Sequence, residues 1–145
     1  MGISFGVIHR KVIMEKAKLV EMAIEARETA YTPYSNFCVG AALETVDGKV
    51  YKGCNIENAA YGPTNCAERT AFFKAVSEGD LHFTQIAIVG AMRGETIHEF
   101  CAPCGVCRQV MSEFCDGDTF LIHLYDGKEI KSYTLKELLP LSFSL

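Results

Sequence analysis

Between residues 12 and 30 the apolar side chains Leu19, Met22, Ala23, Ala26 and Ala30 recur at three- and four-residue intervals, with Glu15, Lys18, Glu21, Glu25 and Glu28 on other faces. That period predicts an amphipathic helix with one side turned to a core. Pro33, within "YTPYSN", ends it. Two short runs in "FCVGAALETVDGKVYKGC" then flank Asp47 and Gly48, a pair that favours a tight hairpin turn, so two strands are expected. "NAAYGPTN" reads as a loop. "CAERTAFFKAVSEG" reads as a helix with Ala71, Phe72, Ala75 and Val76 inward and Gly79 as its stop. "FTQIAIVGA" has the run of a buried strand. In "CGVCRQVMSEFC" the residues Val106, Val110, Met111 and Phe114 keep helical register up to Gly117. "TFLIHLYDGKEIKSYTL" repeats strand, Asp-Gly, strand, and a short helix around "LKELLP" is cut by Pro140.

A helix between two strands returns the chain across one face of a sheet, so this order predicts a single α/β sandwich, a mixed sheet covered by helices, over residues 1–145. No linker, repeat or low-complexity segment interrupts it. The chain of 145 residues is 49% apolar and 22% charged, the usage of an ordinary globular domain.

Charge narrows the partners. The net charge is −4 and basic residues are scattered, so the electropositive stripe that nucleic acid requires is missing and no such partner is expected. The longest apolar runs, such as "IAIVGAM", fall far short of the roughly 20 residues that span a bilayer, and no membrane partner is expected. The first residues carry neither a secretion pattern nor, with Gly6 at the sixth position, a myristoylation pattern. Seven cysteines are then an odd set in a reducing compartment, where thiols more often bind metal or do chemistry than crosslink. A cytoplasmic location is expected.

Two cysteine clusters carry the candidate chemistry. In "NCAERTAFF", Asn65 and Glu68 have the spacing of a helix cap and its reciprocal partner, and Cys66 could be a small buried hydrophobe. The second cluster, "CAPCGVC", supplies Cys101, Cys104 and Cys107 beside another helix start. Cys104 and Cys107, three apart, share one face of a first turn and can grip one ion, while Cys101 precedes Pro103 in the loop. Cys66, Cys104 and Cys107 together would leave the fourth position of a tetrahedral zinc open, as catalytic sites do. Glu68, two residues from a ligand, could then carry a proton without ligating the metal. Three thiolates and Zn²⁺ sum to −1, so helix N-termini, Arg69 and Gln109 are candidates to offset or orient the sulfurs. A four-cysteine structural zinc and an iron–sulfur site on the C-x₂-C-x₂-C run remain as alternatives. None of His9, His82, His98 and His123 is expected to be a ligand.

Through "YTPYSNFCVGAAL", "GCNIENAAYGPTNCAERTA", "PCGVCRQ" and "LLPLSF", about residues 20–143, the chain resembles the small zinc-dependent cytidine deaminases that act on free nucleosides. The pairing of C-A-E with P-C-x-x-C is specific where a lone C-x-x-C is not. The resemblance implies a three-layer α/β/α sandwich on a five-stranded mixed sheet, with residues 1–12 as an N-terminal extension. It implies one Zn²⁺ per subunit on Cys66, Cys104 and Cys107, and Glu68 as the proton shuttle of a hydrolase that turns cytidine and 2'-deoxycytidine into uridine and 2'-deoxyuridine, with ammonia released, in pyrimidine salvage. It further implies Asn55 and Glu57 on the sugar hydroxyls, Phe37 beside the nucleoside and the Ala67 backbone on the base edge. Tyr61 and Phe143 would reach neighbouring active sites of a homotetramer; composition alone would leave one as a loop aromatic and dock the other on its own domain. Polynucleotides and a cytosine-containing antibiotic are the competing substrates, and the acidic balance argues against the first.

Overall fold

The computed structural model describes residues 13–145, so the expected extension 1–12, with His9, lies outside the described residues. Four helices and five strands follow in the order α1 (Lys16–Arg27), β1 (Phe37–Thr45), β2 (Val50–Cys54), α2 (Ala67–Ser77), β3 (Phe83–Met92), α3 (Gly105–Phe114), β4 (Leu121–Tyr125), β5 (Ile130–Thr134) and α4 (Leu135–Leu138). No helix among the described residues is long and apolar enough to cross a membrane.

The strands form one sheet in the order β2-β1-β3-β4-β5, with β3 and β4 parallel and every other pair antiparallel. Since β2 and β3 both run opposite to β1, they run the same way as each other and as β4. Both α2 and α3 are therefore crossovers between strands of one direction, and both begin beyond the carboxyl ends of their preceding strands. Clefts in α/β sheets form at such ends.

Alternation along β1 and β3 builds the two outer layers. Ala41, Leu43, Ile86 and Ile88 face a core with Ala67, Ala71, Phe72, Cys107 and Met111 of α2 and α3. Ala42, Ala87, Val89 and Ala91 face Leu19, Val20 and Ala23 of α1. Phe72 of α2 packs on Phe83 at 5.0 Å and on Phe114 of α3 at 6.2 Å, joining the two crossover helices. Full burial of a phenylalanine contributes about 1.5–3 kcal/mol.

Gly53 lets α2 approach: a Cβ there would stand 2.3 Å from the Ala67 carbonyl oxygen and 2.6 Å from the Ala71 nitrogen. Any side chain would push the start of α2 off β2. Gly40 does the same for α1, where a Cβ would lie 2.0 Å from the Ala23 carbonyl oxygen.

Some local expectations shift. The first helix stops at Arg27, because the Glu28 and Thr29 amides turn back tightly to Glu25 and Ala26 and Tyr31 is drawn into backbone pairing with Asn55 and Glu57. Val106, grouped by helical register with Val110, Met111 and Phe114, is exposed, and Cys107 and Met111 fill the buried face of α3. Arg27, a polar residue by pattern, is buried; its guanidinium donates to the carbonyls of Cys38, Ala91, Met92 and Glu95, holding the end of β3.

His123 lies on the α1 face of the sheet, as a strand-face residue should. Its Nε2 donates to Gln85 Oε1 at 2.6 Å and its Nδ1 accepts from the Ser132 hydroxyl at 2.7 Å, while Gln85 Nε2 donates to the buried Glu44 carboxylate and to the Met14 carbonyl. Burial, with Lys16 adding to it, pushes the imidazole down to about 4 from 6.5. A histidine kept neutral by the fold stabilises it fully above pH 6.5, and that stability is lost as pH falls from 6.5 towards 4, by about 3 kcal/mol in all. His123→Gln should flatten the dependence of urea-unfolding stability on pH across that window relative to wild type. Identical slopes in the two proteins between pH 6.5 and 5 would disprove the assignment.

Candidate metal centre and active-site cleft

Cys66 and Cys104 are the N-cap residues of α2 and α3, both with extended backbone (φ −73°, ψ 155° and φ −69°, ψ 166°). Cys107 is one turn into α3 and fully buried. The three sulfurs all lie within 4.8 Å of one another, and Cys66 Sγ is 3.7 Å from Cys104 Sγ. Tetrahedral zinc with bonds of about 2.3 Å separates two sulfur ligands by about 3.8 Å, so this donor set fits that ion in spacing and in chemistry. Cys101 is not part of the cluster: its sulfur sits over Gly90, and burial pushes its thiol up to about 12. Three sulfurs, rather than four, form the ligand group among the described residues.

Charge at the cluster is arranged by its neighbours. A hydrogen bond with Cys107, assisted by Arg69, holds the Cys66 thiol below the usual thiol range, whereas Cys107, its partner in that bond and buried beside Glu68, is raised. Arg69 Nη2 donates to Cys66 Sγ at 3.4 Å, and its buried Nε has no partner among the described residues. The Cys107 amide donates to Cys104 Sγ at 3.5 Å. Helix N-termini favour negative charge, so two of them converging on three sulfurs lower the cost of placing thiolates there. Gln109 is half-buried on α3, and no hydrogen bond joins its side chain to a sulfur among the described residues.

Glu68 is not a helix cap. Cys66 takes the N-cap position, which moves Glu68 to the second residue of α2, and Asn65 Nδ2 donates instead to Thr70 Oγ1 at 3.1 Å. The Glu68 carboxyl is 3% exposed, and burial, helped by the charge of Cys66, raises it to about 7. A carboxyl poised there can take and give a proton near neutral pH.

A cleft of about 160 Å³ opens at this point, lined by Val39, Asn55, Glu57, Cys66, Ala67, Glu68, Cys101 and Cys104 among others. Asn55 spans the start of β1, accepting from the Val39 amide at 2.8 Å and donating to the Phe37 carbonyl at 2.9 Å. Glu57 accepts from the Tyr34 and Ser35 amides through Oε1, and its bonds to Ser35 hold the carboxyl below its usual range. Phe37, 37% exposed, lies against Gly90 and is not among the residues that line the cleft. Tyr61 and Phe143 stand apart from the cleft and are 78% and 68% exposed; Phe143 does not dock on its own domain. Pattern reading missed Thr70, whose hydroxyl lies within hydrogen-bonding distance of the carbonyls of Cys54 and Cys66 and links the end of β2 to Cys66. Its spacing of four from Cys66 on a helix was the available signal.

Residues 14–123 match the family described as cytidine and deoxycytidylate deaminase zinc-binding region. The cytidine deaminase of Sporosarcina psychrophila is 51% identical over 132 residues, 90% of this chain and 93% of that one. The crystal structure of cytidine deaminase from Burkholderia pseudomallei superposes with a TM-score of 0.80 at 48% identity, covering 90% of this chain and 100% of that one. A blasticidin-S deaminase of Bacillus cereus is more distant, at 31% over 92% of this chain and 95% of its own length.

The geometry separates the cysteines. Cys107→Ser should abolish stoichiometric zinc, measured by atomic absorption on purified protein, whereas Cys101→Ser should retain it. Loss of zinc in the Cys101 variant would restore the four-cysteine alternative.

Proposed function

The chain belongs to the cytidine and deoxycytidylate deaminase zinc-binding family, a family of hydrolases, and on that premise we propose that it deaminates free cytidine and 2'-deoxycytidine to uridine and 2'-deoxyuridine. The observation that carries the reading is a buried carboxyl, Glu68, in the wall of a cleft also lined by Cys66 and Cys104, two of three sulfurs spaced for one zinc ion, with Cys107 buried behind them.

Cys66, Cys104 and Cys107 would hold one zinc per subunit. When bound, zinc supplies Lewis acidity, lowering the pKa of a coordinated water from about 16 towards about 7. Glu68 would take a proton from the water that adds to C4 of the cytosine ring and pass it to N3. It then carries the second proton to the departing amino group; the C4–N bond breaks, ammonia leaves, and the product keeps the C4 carbonyl and the N3 proton. Burial of Glu68 keeps this traffic out of bulk solvent. Arg69, bonded to Cys66, and the two helix N-termini would offset the −1 charge of three thiolates with Zn²⁺.

Asn55 and Glu57 face the cleft with hydrogen-bonding capacity left after their backbone contacts, which suits the sugar hydroxyls. The Ala67 amide, at a helix start without an intrahelical partner, suits the base edge. Phe37 flanks the nucleoside. Tyr61 and Phe143, exposed on one subunit, complete the sites of neighbours in a homotetramer. The reaction fits pyrimidine salvage in the cytoplasm.

Ammonia release from cytidine and deoxycytidine, compared with blasticidin S and alongside zinc content, tests the substrate class; faster turnover of the antibiotic would replace this reading. Glu68→Gln should keep its zinc yet lose turnover by about 10²–10⁴-fold, the usual contribution of a positioned proton carrier. An undiminished rate in that variant rules out Glu68 as the shuttle.

A further inference from the structure

Pro103 is fully buried, and its carbonyl immediately precedes the ligand Cys104. In a helix continued backwards that carbonyl would accept from the Cys107 amide. Here the Cys107 amide is turned to Cys104 Sγ at 3.5 Å, and the first helical bond runs from the Arg108 amide to the Cys104 carbonyl at 3.0 Å. The buried Pro103 oxygen would be left unsatisfied, at a cost of about 1–3 kcal/mol, had another donor not reached it. Arg108 supplies that donor: its Nε bonds the Pro103 carbonyl at 2.8 Å.

The other end of the same guanidinium reaches a different element. Arg108 Nη1 donates at 2.9 Å to the carbonyl of Leu138, the last residue of α4. A helix of four residues has no intrahelical partner for its final carbonyls, so a planar, permanently charged donor is well suited there. One rigid group thus joins the turn that presents two sulfurs to the segment from which the C-terminal residues 139–145 emerge.

We infer that Arg108 is a positioning residue: it frees the Cys107 amide for a ligand sulfur and couples metal occupancy of the Cys104–Cys107 turn to anchoring of the C-terminal segment. This rests on the zinc site proposed above, but not on the reaction assigned to it. Partners that orient ligands change metal affinity by about 10–100-fold when removed. Lysine, a single point donor, satisfies only one of the two carbonyls.

The test uses full-length, zinc-loaded protein. Transfer of zinc to a chromogenic chelator should be about 10–100-fold faster from Arg108→Met than from wild type, with Arg108→Lys between them. Amide hydrogen exchange over residues 135–139 should rise in wild type when zinc is removed, while α1 exchange stays the same. In Arg108→Met it should be high with or without zinc. Equal zinc retention in the methionine variant overturns the inference. Should that variant not fold, unchanged exchange at residues 135–139 in wild type on zinc removal overturns it equally. A wild-type chain that binds no zinc sinks this inference together with the site; one that binds zinc but releases no ammonia sinks only the deaminase reading.

Discussion

Three sulfur atoms within 4.8 Å of one another, drawn from two helix starts far apart in sequence, are the constraint to which the rest of the structure answers. Three thiolates so close would repel one another, and positive potential together with a bound ion would oppose that repulsion. The two helix N-termini and Arg69 provide part of it. The sheet provides the convergence: β2 and β3 run the same way with β1 between them, so the helices that follow them both begin at one edge.

The layers on either side serve that placement unequally. The face under α1 is paved with small side chains, Ala42, Ala87, Ala91 and Gly40, which allow close approach of a single helix. The opposite face carries Leu43, Ile86, Ile88 and Ile122 and takes two helices locked through Phe72 and Phe114. Rigid aromatic packing between α2 and α3 holds the two cysteine-bearing helix starts in register. Gly53 sets the depth at which α2 sits on β2, and so the depth of Glu68 in the cleft.

The loop from Asn55 to Asn65 is held as firmly as a strand. Ile56 pairs with Asn65 through both backbone groups, Tyr31 pairs with Asn55 and Glu57, and Thr70 ties the end of β2 to Cys66. The side of the cleft proposed for the sugar and the side with the sulfurs are thereby parts of one hydrogen-bonded unit. A nucleoside would meet a largely preformed wall, which reduces the ordering cost of binding.

Local regularities were legible in the sequence. The helical period of Ala71, Phe72 and Ala75, the Asp-Gly turns and the spacing of Cys104 and Cys107 each depend on residues within a turn or two of one another, so the five strands and four helices of the described residues could be drawn, with α1 overextended. The grouping of Cys66, Cys104 and Cys107 was legible because each half begins a helix. What the sequence left open were questions of distance between segments. Whether Glu68 capped its helix or faced a cleft depended on which residue took the N-cap position, and Cys66 took it. Whether Cys101 joined the metal depended on how the loop crosses Gly90. Arg27, Thr70 and Arg108 have no role that their own spacing shows, and the fold brings carbonyls of other segments to them. Periodicity encodes which side chains share a face, but not which distant backbone groups that face will meet; that was decided only when the sheet closed the separations.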